Sequence, residues 1–188
     1  MPIPSRVDTP PQGPRFNIVA MLILFASIAV GIVLAVLGAG VAGSASAAPG
    51  AASCTAGVHS YGGANARTFC GPAKATVVLG GKTIRFSGGN CERGPAYVSF
   101  NIGTVVLGTT TKPKPEYFGF LVGKAPIVGG TPATHDGSYK PQALGFDHAG
   151  KGYAIIPATV KLAGGRTRGT FTGKVFGANT PIHGSFSC

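Results

Sequence analysis

The sequence predicts an all-β fold: an antiparallel β-sandwich or barrel of about eight short strands, following an N-terminal hydrophobic helix. After residue 50 the apolar residues occur in short alternating runs separated by Gly, Pro, Asn and Asp, and no run has a helical period. The chain has 188 residues, a length that suits one domain. Charged residues make up only 11% and hydrophobic residues 44%, which excludes a highly charged disordered chain.

The N-terminal region is predicted to direct export. Residues 1–17 are polar and rich in proline, and residues 18–42 contain no charged side chain. A helix of this length can cross the ~30 Å hydrocarbon layer of a membrane. Arg6 and Arg15 precede it, so we expect the N-terminus in the cytoplasm and the rest of the chain outside.

Two fates are open for this segment, which we take as residues 18–47. Ala45 and Ala47 have the small-residue spacing that a signal peptidase reads, with cleavage before Ala48. The apolar run is longer than the ~7–15 residues of a usual secretory signal, which favours a retained single-pass anchor. Acylation of Cys54 is a third possibility. In each case residues 48–188 form an exported domain, either secreted or anchored in the cell membrane.

The first predicted strands of this domain form a hairpin. Residues 75–79 and 82–86 flank Gly80-Gly81, a two-residue turn of the type that joins antiparallel strands. The next run, 97–103, alternates: its apolar side chains face one way and its polar side chains the other, which is typical of a strand with one buried face. The apolar set is Val98, Phe100 and Ile102.

The second half of the domain repeats these patterns. A long loop rich in Gly, Pro and Thr is expected at 123–138. Pro157 predicts an edge or a break between two strands, because proline cannot donate to a ladder of hydrogen bonds. The strands are predicted at 117–122, 142–146, 153–156, 158–162, 169–176 and 181–188.

Four cysteines lie in the exported part, and an even number there predicts two structural disulfides. They allow three pairings. The nearest-neighbour pairing joins Cys54 to Cys70 across a glycine-rich segment and leaves Cys91 with Cys188, the last residue. The spacings do not resemble a zinc site, which usually has a close cysteine pair.

The exported part is strongly basic. Residues 48–188 contain 14 Lys and Arg against 4 Asp and Glu, a net charge of +10. Export argues against nucleic acid as the partner, and the cations are scattered along the sequence. Two alternatives remain open: the cations meet anionic lipid headgroups or an acidic wall polymer, or they form a basic surface with no dedicated partner. The sequence leaves the oligomeric state open.

Candidate catalytic groups are few, and the sequence predicts a non-enzymatic protein with no cofactor and no metal. His135-Asp136 and Asp147-His148 could each supply a base and its orienting group. A secreted hydrolase with such a loop-borne site is the alternative from another class. A third hypothesis is a carrier that holds an apolar ligand between its sheets. Dispersed, exposed carboxylates and histidines would argue against the hydrolase. The four carboxylates are Glu92, Glu116, Asp136 and Asp147.

The segments VVLGGKTIRFSGGNC (77–91), AYVSFNIG, GTFTGK and PIHGSFSC together resemble the mycobacterial nineteen-kilodalton lipoprotein antigen family over roughly residues 75–188. The resemblance implies a small β-rich domain exposed at the cell surface, visible to the immune system and without catalytic residues. It also implies that Cys91 and Cys188 are the family's paired cysteines. Two features differ: this chain has no lipobox, and Cys54 and Cys70 are additional.

Overall fold

The computed structural model describes residues 54–188, and the predicted N-terminal helix and the cleavage residues Ala45, Ala47 and Ala48 lie outside them. The described part is all-β, as predicted. No helix within 54–188 is long and apolar enough to cross a membrane. The described residues form eleven strands: β1 (Gly57–Tyr61), β2 (Ala64–Phe69), β3 (Ala73–Leu79), β4 (Lys82–Arg93), β5 (Tyr97–Leu107), β6 (Tyr117–Gly123), β7 (Gly137–Tyr139), β8 (Ala143–His148), β9 (Lys151–Ala163), β10 (Arg168–Val175) and β11 (Pro181–Ser187).

Eight of these strands close into an antiparallel barrel. The order around it is β5-β4-β3-β11-β10-β9-β8-β6, and β6 pairs with β5 to complete the circle. This closure decides between the two predicted architectures in favour of a barrel. β6 and β11 lie on opposite sides of the circle, four strands apart in either direction. The outward surfaces centred on these two strands are therefore two separate walls of the molecule.

Aromatic and branched apolar side chains fill the barrel. An eight-stranded barrel is just wide enough for side chains to pack across it, and here phenyl rings do so. Phe100 stacks on Phe120 with ring centroids 5.2 Å apart, and Phe118 contacts Phe171 at the same distance. The predicted inward residues of β5 are buried, with exposures of 0% for Val98, 0% for Phe100 and 1% for Ile102.

β5 continues beyond the barrel and builds a projecting arm, which we define as β1, β2 and residues 103–107. The bend occurs at Gly103, whose φ is 79°. A Cβ at this position would overlap the carbonyl oxygen of Glu116, so both the left-handed conformation and the close backbone approach require glycine. Beyond the bend, β2 pairs with β5 from Phe69↔Gly103 to Asn65↔Leu107.

The structure differs from the predicted strands in three places. The segment between Cys54 and Cys70 was not predicted as a hairpin, but it forms β1 and β2 around Gly62-Gly63. The predicted loop 123–138 ends in the short strand β7. The strands predicted at 153–156 and 158–162 are one strand, because β9 runs through Pro157 without a break. The alternative prediction, an edge, holds locally: Pro157 lies between the residues that pair with β8, ending at Ala154, and those that pair with β7, beginning at Val160.

Two disulfides cross-link the chain, as the even cysteine count predicted. Cys91–Cys188 joins β4 to the last residue across 97 positions, and Cys54–Cys70 closes the arm across 16. The backbone amide of Cys188 also donates to the carbonyl of Thr167, at 2.8 Å. Disulfides form and persist in oxidising compartments, so the pair indicates an extracytoplasmic environment for this domain.

Candidate functional site

The wall centred on β11 is rich in cations and hydroxyl groups. Because side chains alternate along a strand, the residues that flank the buried Phe171 and Phe186 point away from the barrel, and they are exposed. We call this surface the basic face. Its cations are Lys74, Arg85, Lys161, Arg168 and Lys174. Its hydroxyl residues are Thr76, Thr83, Ser87, Thr159, Thr170, Thr172, Ser185 and Ser187.

Strand register, and not sequence proximity, assembles the basic face. One cross-strand row runs from Arg85 through Thr76, Ser185 and Thr170 to Lys161. A second row brings Lys74 and Arg168 to either side of Ser187. Because β4 and β9 are four strands apart in the eight-stranded circle, this row follows the curve of the barrel, and Arg85 and Lys161 lie at its two margins. Lys74, Arg168 and Lys174, on the strands on either side of β11, are the cations that strand register brings closest together.

The four carboxylates of the described residues lie elsewhere. Glu92 accepts a hydrogen bond from the Tyr97 hydroxyl, and this bond raises the pKa of Tyr97 to about 12, helped by burial and by the carboxylate charge. Asp136 accepts from the backbone amides of Gly165 at 3.1 Å and Arg166 at 2.7 Å. These two bonds lower the pKa of Asp136. Neither carboxylate lies in the cross-strand rows of the basic face.

The opposite wall, centred on β6, carries a groove with a volume of about 580 Å³. Its floor consists of small outward residues on three neighbouring strands: Gly119 on β6, Ala143 and Gly145 on β8, and Gly152 and Ala154 on β9. The arm forms one side, through Arg67, Phe69 and residues 105–107, and this side continues into residues 108 and 109.

A cluster of ionisable groups lies at one end of this groove. Asp147 on β8 is buried, at 8% exposure, and its Oδ1 is 3.4 Å from the ammonium nitrogen of Lys114. Burial raises the pKa of Asp147; Lys114 opposes this rise and the nearby Glu116 adds to it. Burial, with the charge of Asp147, also raises the pKa of the Tyr117 hydroxyl.

Glu116 and His148 are also brought together, on the exposed rim of the cluster. His148 Nδ1 lies 2.8 Å from Glu116 Oε2, and the amide of Ala149 donates to Glu116 Oε1 at 3.0 Å. Partial desolvation raises the pKa of Glu116, but these two hydrogen bonds and the charge of His148 outweigh it, and the pKa is lowered. Dispersed, exposed carboxylates and histidines would argue against a hydrolase. Glu92 and Asp136 are dispersed, but Glu116, Asp147 and His148 lie close together, so this argument against a hydrolase holds only in part.

The sequence-predicted pairs do not act as pairs. His135 contacts the hydroxyl of Thr134 at 3.0 Å, whereas Asp136 binds the turn at Gly165. Asp147 and His148 are adjacent on β8, so their side chains point to opposite sides of the strand. Asp147 pairs with Lys114, and His148 pairs with Glu116. Within residues 54–188 no group of three His, Cys, Asp or Glu side chains is placed to hold a metal ion.

Sequence reasoning missed the groove and its polar residues. The Tyr117 hydroxyl donates to Asn101 Oδ1 at 2.8 Å, and Asn101 Nδ2 donates to Ser99 Oγ at 2.9 Å. The outward alternation of 99 and 101 was visible in the sequence, but which strands would lie beside them was not. Comparisons with protein-family models, with curated proteins and with solved structures gave no match.

Proposed function

We propose that this chain is a non-enzymatic protein of the bacterial cell envelope whose exported barrel binds anionic polymer or lipid headgroups through its basic face. The observation that supports the proposal is that Lys74, Arg168 and Lys174 flank β11, with Arg85 and Lys161 one strand further out on either side, and that the cross-strand rows joining them contain no Asp or Glu side chain. The long side chains of the central cations can reach a common anionic partner, and the marginal cations add to the attraction.

The energetics support weak, salt-dependent binding. Each cation near an anionic surface contributes about 1 kcal/mol, and only within a Debye length of about 8 Å at physiological ionic strength. Hydroxyl groups between the cations supply hydrogen bonds to phosphate or carboxylate oxygens. We therefore expect attachment that is strong at low salt and fades toward physiological salt.

A non-enzymatic role fits the engagement of the acidic groups. Glu92, Asp136 and Glu116 are each held by a hydrogen bond to a side chain or backbone group, and Asp147 is paired with Lys114. These contacts give every candidate acid a structural task. The resemblance to the mycobacterial nineteen-kilodalton lipoprotein antigen family adds the proposal that the domain is displayed at the cell surface.

The test compares two matched sets of three lysines. Lys74, Lys161 and Lys174 on the basic face are changed together to Gln, and Lys124, Lys140 and Lys151 elsewhere are changed to Gln as the control; all six are exposed. Each full-length chain is applied to immobilised polyglutamate and to phosphatidylglycerol or phosphatidylcholine vesicles across a salt series. Every variant carries the same residues 18–42, so any insertion of that segment into the vesicles contributes equally to the binding of each variant.

We expect the basic-face variant to bind the polymer ten- to a hundredfold more weakly at low salt, while the control variant stays within a few-fold of the unchanged chain. A loss limited to phosphatidylglycerol vesicles would identify lipid as the source of the anion, and a loss limited to the polymer would identify a wall component. Equal losses in both lysine variants would contradict the proposal, because only net charge would then matter.

The proposal that the chain is either released or anchored has its own test. The intact mass of the native protein distinguishes cleavage before Ala48, retention of residues 1–47 and acylation of Cys54 in one spectrum. A cleaved, unmodified mass would remove the anchor from the account and leave a secreted protein.

A further inference from the structure

We infer that the groove on the β6 wall is a binding site for a short, neutral saccharide. This site is separate from the basic face and does not depend on the function proposed for that face. Its volume of about 580 Å³ is within the ~300–1,000 Å³ range of small-ligand pockets.

The floor of the groove contains three glycines, and other groups of the protein approach each of them closely; a Cβ at Gly145, for example, would lie 2.8 Å from the carbonyl oxygen of Tyr153. Glycine inside a strand costs about 0.5–1 kcal/mol relative to alanine, yet Gly119 and Gly145 are direct cross-strand partners, and Gly152 lies opposite Asp147. Glycine in a strand often marks a close approach by a ligand or another backbone.

The glycines let two polar side chains lie flat against the sheet. A Cβ at Gly119 would overlap the Tyr117 hydroxyl, and a Cβ at Gly152 would come within 2.8 Å of Asp147 Oδ1. With hydrogen in place of a methyl group at both positions, Tyr117 and Asp147 lie across the floor. The groove stays open, and its floor carries a phenol and a carboxylate.

The polar groups of the groove have unused hydrogen-bonding capacity of both kinds. In the chain from Tyr117 through Asn101 to Ser99, the Ser99 hydroxyl still has a proton to donate and Asn101 has a second N–H. The Tyr117 oxygen and Asp147 Oδ2 can accept. Ser99 is only 5% exposed, so its unmet capacity is deep in the groove. A ligand that complements this set must donate and accept at neighbouring positions, which is the property of a ring that carries several hydroxyl groups.

The apolar sides fit the same class of ligand. Phe69 and Leu121 border the groove, and the Arg67 guanidinium carbon lies 5.2 Å from the centre of the Phe69 ring. Sugar rings present a face of C–H groups and an edge of hydroxyls, so they match an apolar side above a polar floor. An acyl chain would leave the floor groups without water and without partners, which is costly.

Charge balance favours a neutral ligand. Lys114 is paired with Asp147 at 3.4 Å, and Glu116 lies close enough to Asp147 to raise its pKa. Arg67 has no ion pair among the described residues, but the formal charges of Arg67, Lys114, Asp147 and Glu116 sum to zero. An anionic ligand would be attracted by Arg67 and repelled by the two carboxylates, so its charge gives it little advantage.

The experiment fills the groove without disturbing the core. Ala143→Leu adds a branched side chain at an outward, half-buried floor position, and Ala178→Leu, in the exposed turn after β10, is the matched control. The full chain, exported and with both disulfides formed, is titrated by NMR with chitotriose, mannotriose and cellotriose at low and at physiological salt.

We expect saturable binding of at least one trisaccharide, with shifts confined to the backbone amides of Asn101, Tyr117, Gly145 and Asp147. Ala143→Leu should weaken it at least tenfold, Ala178→Leu should leave it unchanged, and salt should have little effect. No binding of any of the three sugars would overturn the inference, as would binding that survives Ala143→Leu. Displacement of cis-parinaric acid from the groove without saccharide binding would also overturn it and would indicate an apolar ligand.

Discussion

The basic face and the groove are built from the same kind of strand, yet they differ in almost every surface property. On the β11 wall the outward residues are mostly Thr, Ser, Lys and Arg, and the surface is cationic. On the β6 wall the floor residues are Gly and Ala, with Tyr117 and Asp147 lying beside them, and the surface is concave. Alternation determines only that a residue points outward. Side-chain size then determines whether the outward surface is filled or forms a groove.

The two walls also depend on different cross-links. Cys91–Cys188 joins strands of the barrel itself, whereas Cys54–Cys70 closes only the arm that borders the groove. Removing the first should therefore affect both walls, and removing the second should affect the groove alone.

The largest predicted effect comes from the barrel disulfide. Changing Cys91 and Cys188 together to Ser should lower the free energy of unfolding by about 4–5 kcal/mol, because the bond closes a loop of 97 residues in the chain-entropy treatment. Changing Cys54 and Cys70 to Ser should cost less, since that loop is shorter and peripheral. Denaturant unfolding of both double variants measures the difference. Equal midpoint shifts would contradict the assignment, and so would free thiols in the non-reduced protein.

The next prediction separates the arm from the barrel. Gly103→Ala should destabilise the protein by ~2 kcal/mol or more, because alanine is strained at positive φ and its methyl group would also overlap the Glu116 carbonyl. Gly81→Ala is the control: its φ is 78°, and a Cβ there meets nothing within 4 Å. Thermal unfolding should show a larger loss for Gly103→Ala, and hydrogen exchange should increase mainly in β2. Equal losses of stability in the two variants would mean that the close approach of Gly103 to the Glu116 carbonyl adds nothing to the strain of a positive φ.

The smallest effect concerns the pH dependence of stability. Burial raises the pKa of Asp147, so its carboxyl disfavours the folded state once it is ionised, and stability from this group falls as pH rises through the folded pKa. The free energy of unfolding of Asp147→Asn, relative to the unchanged chain, should therefore increase as pH rises from about 4. Asp136 has a lowered pKa, so its contribution to stability is lost as pH falls below about 4, and the relative stability of Asp136→Asn should decrease as pH rises toward about 4. A relative stability of Asp136→Asn that instead increases above pH 4, as for Asp147→Asn, would contradict the electrostatic difference between the two sites.

Local patterns predicted the elements whose two faces differ sharply. The glycine pair at 80–81, the alternation from 97 to 103 and the buried Ile182 and Phe186 of the last strand are all found in the structure. The hairpin β1–β2 was missed because its inward residues are small: Ala64 and Ala66 are buried, but they give a weak apolar pattern. Its turn, Gly62-Gly63, has the same form as Gly80-Gly81 and was the available indication.

Neither wall could be predicted from local patterns, because both depend on long-range register. Arg85 and Lys161 are far apart in sequence and share a row only because β3, β11 and β10 lie between their strands. Gly119 and Gly145 meet because β6 pairs with β8. The sequence reveals which residues point outward, but not which outward residues become neighbours.

The central claim is that the two walls bind different ligands independently, and a crossed titration tests it most directly. The basic-face variant (Lys74, Lys161 and Lys174 to Gln) and the groove variant (Ala143→Leu) are each titrated with polyglutamate and with the trisaccharide that the unchanged chain binds. The account predicts that the first variant loses the polymer and keeps the sugar, and that the second loses the sugar and keeps the polymer. Loss of the same ligand in both variants would contradict it.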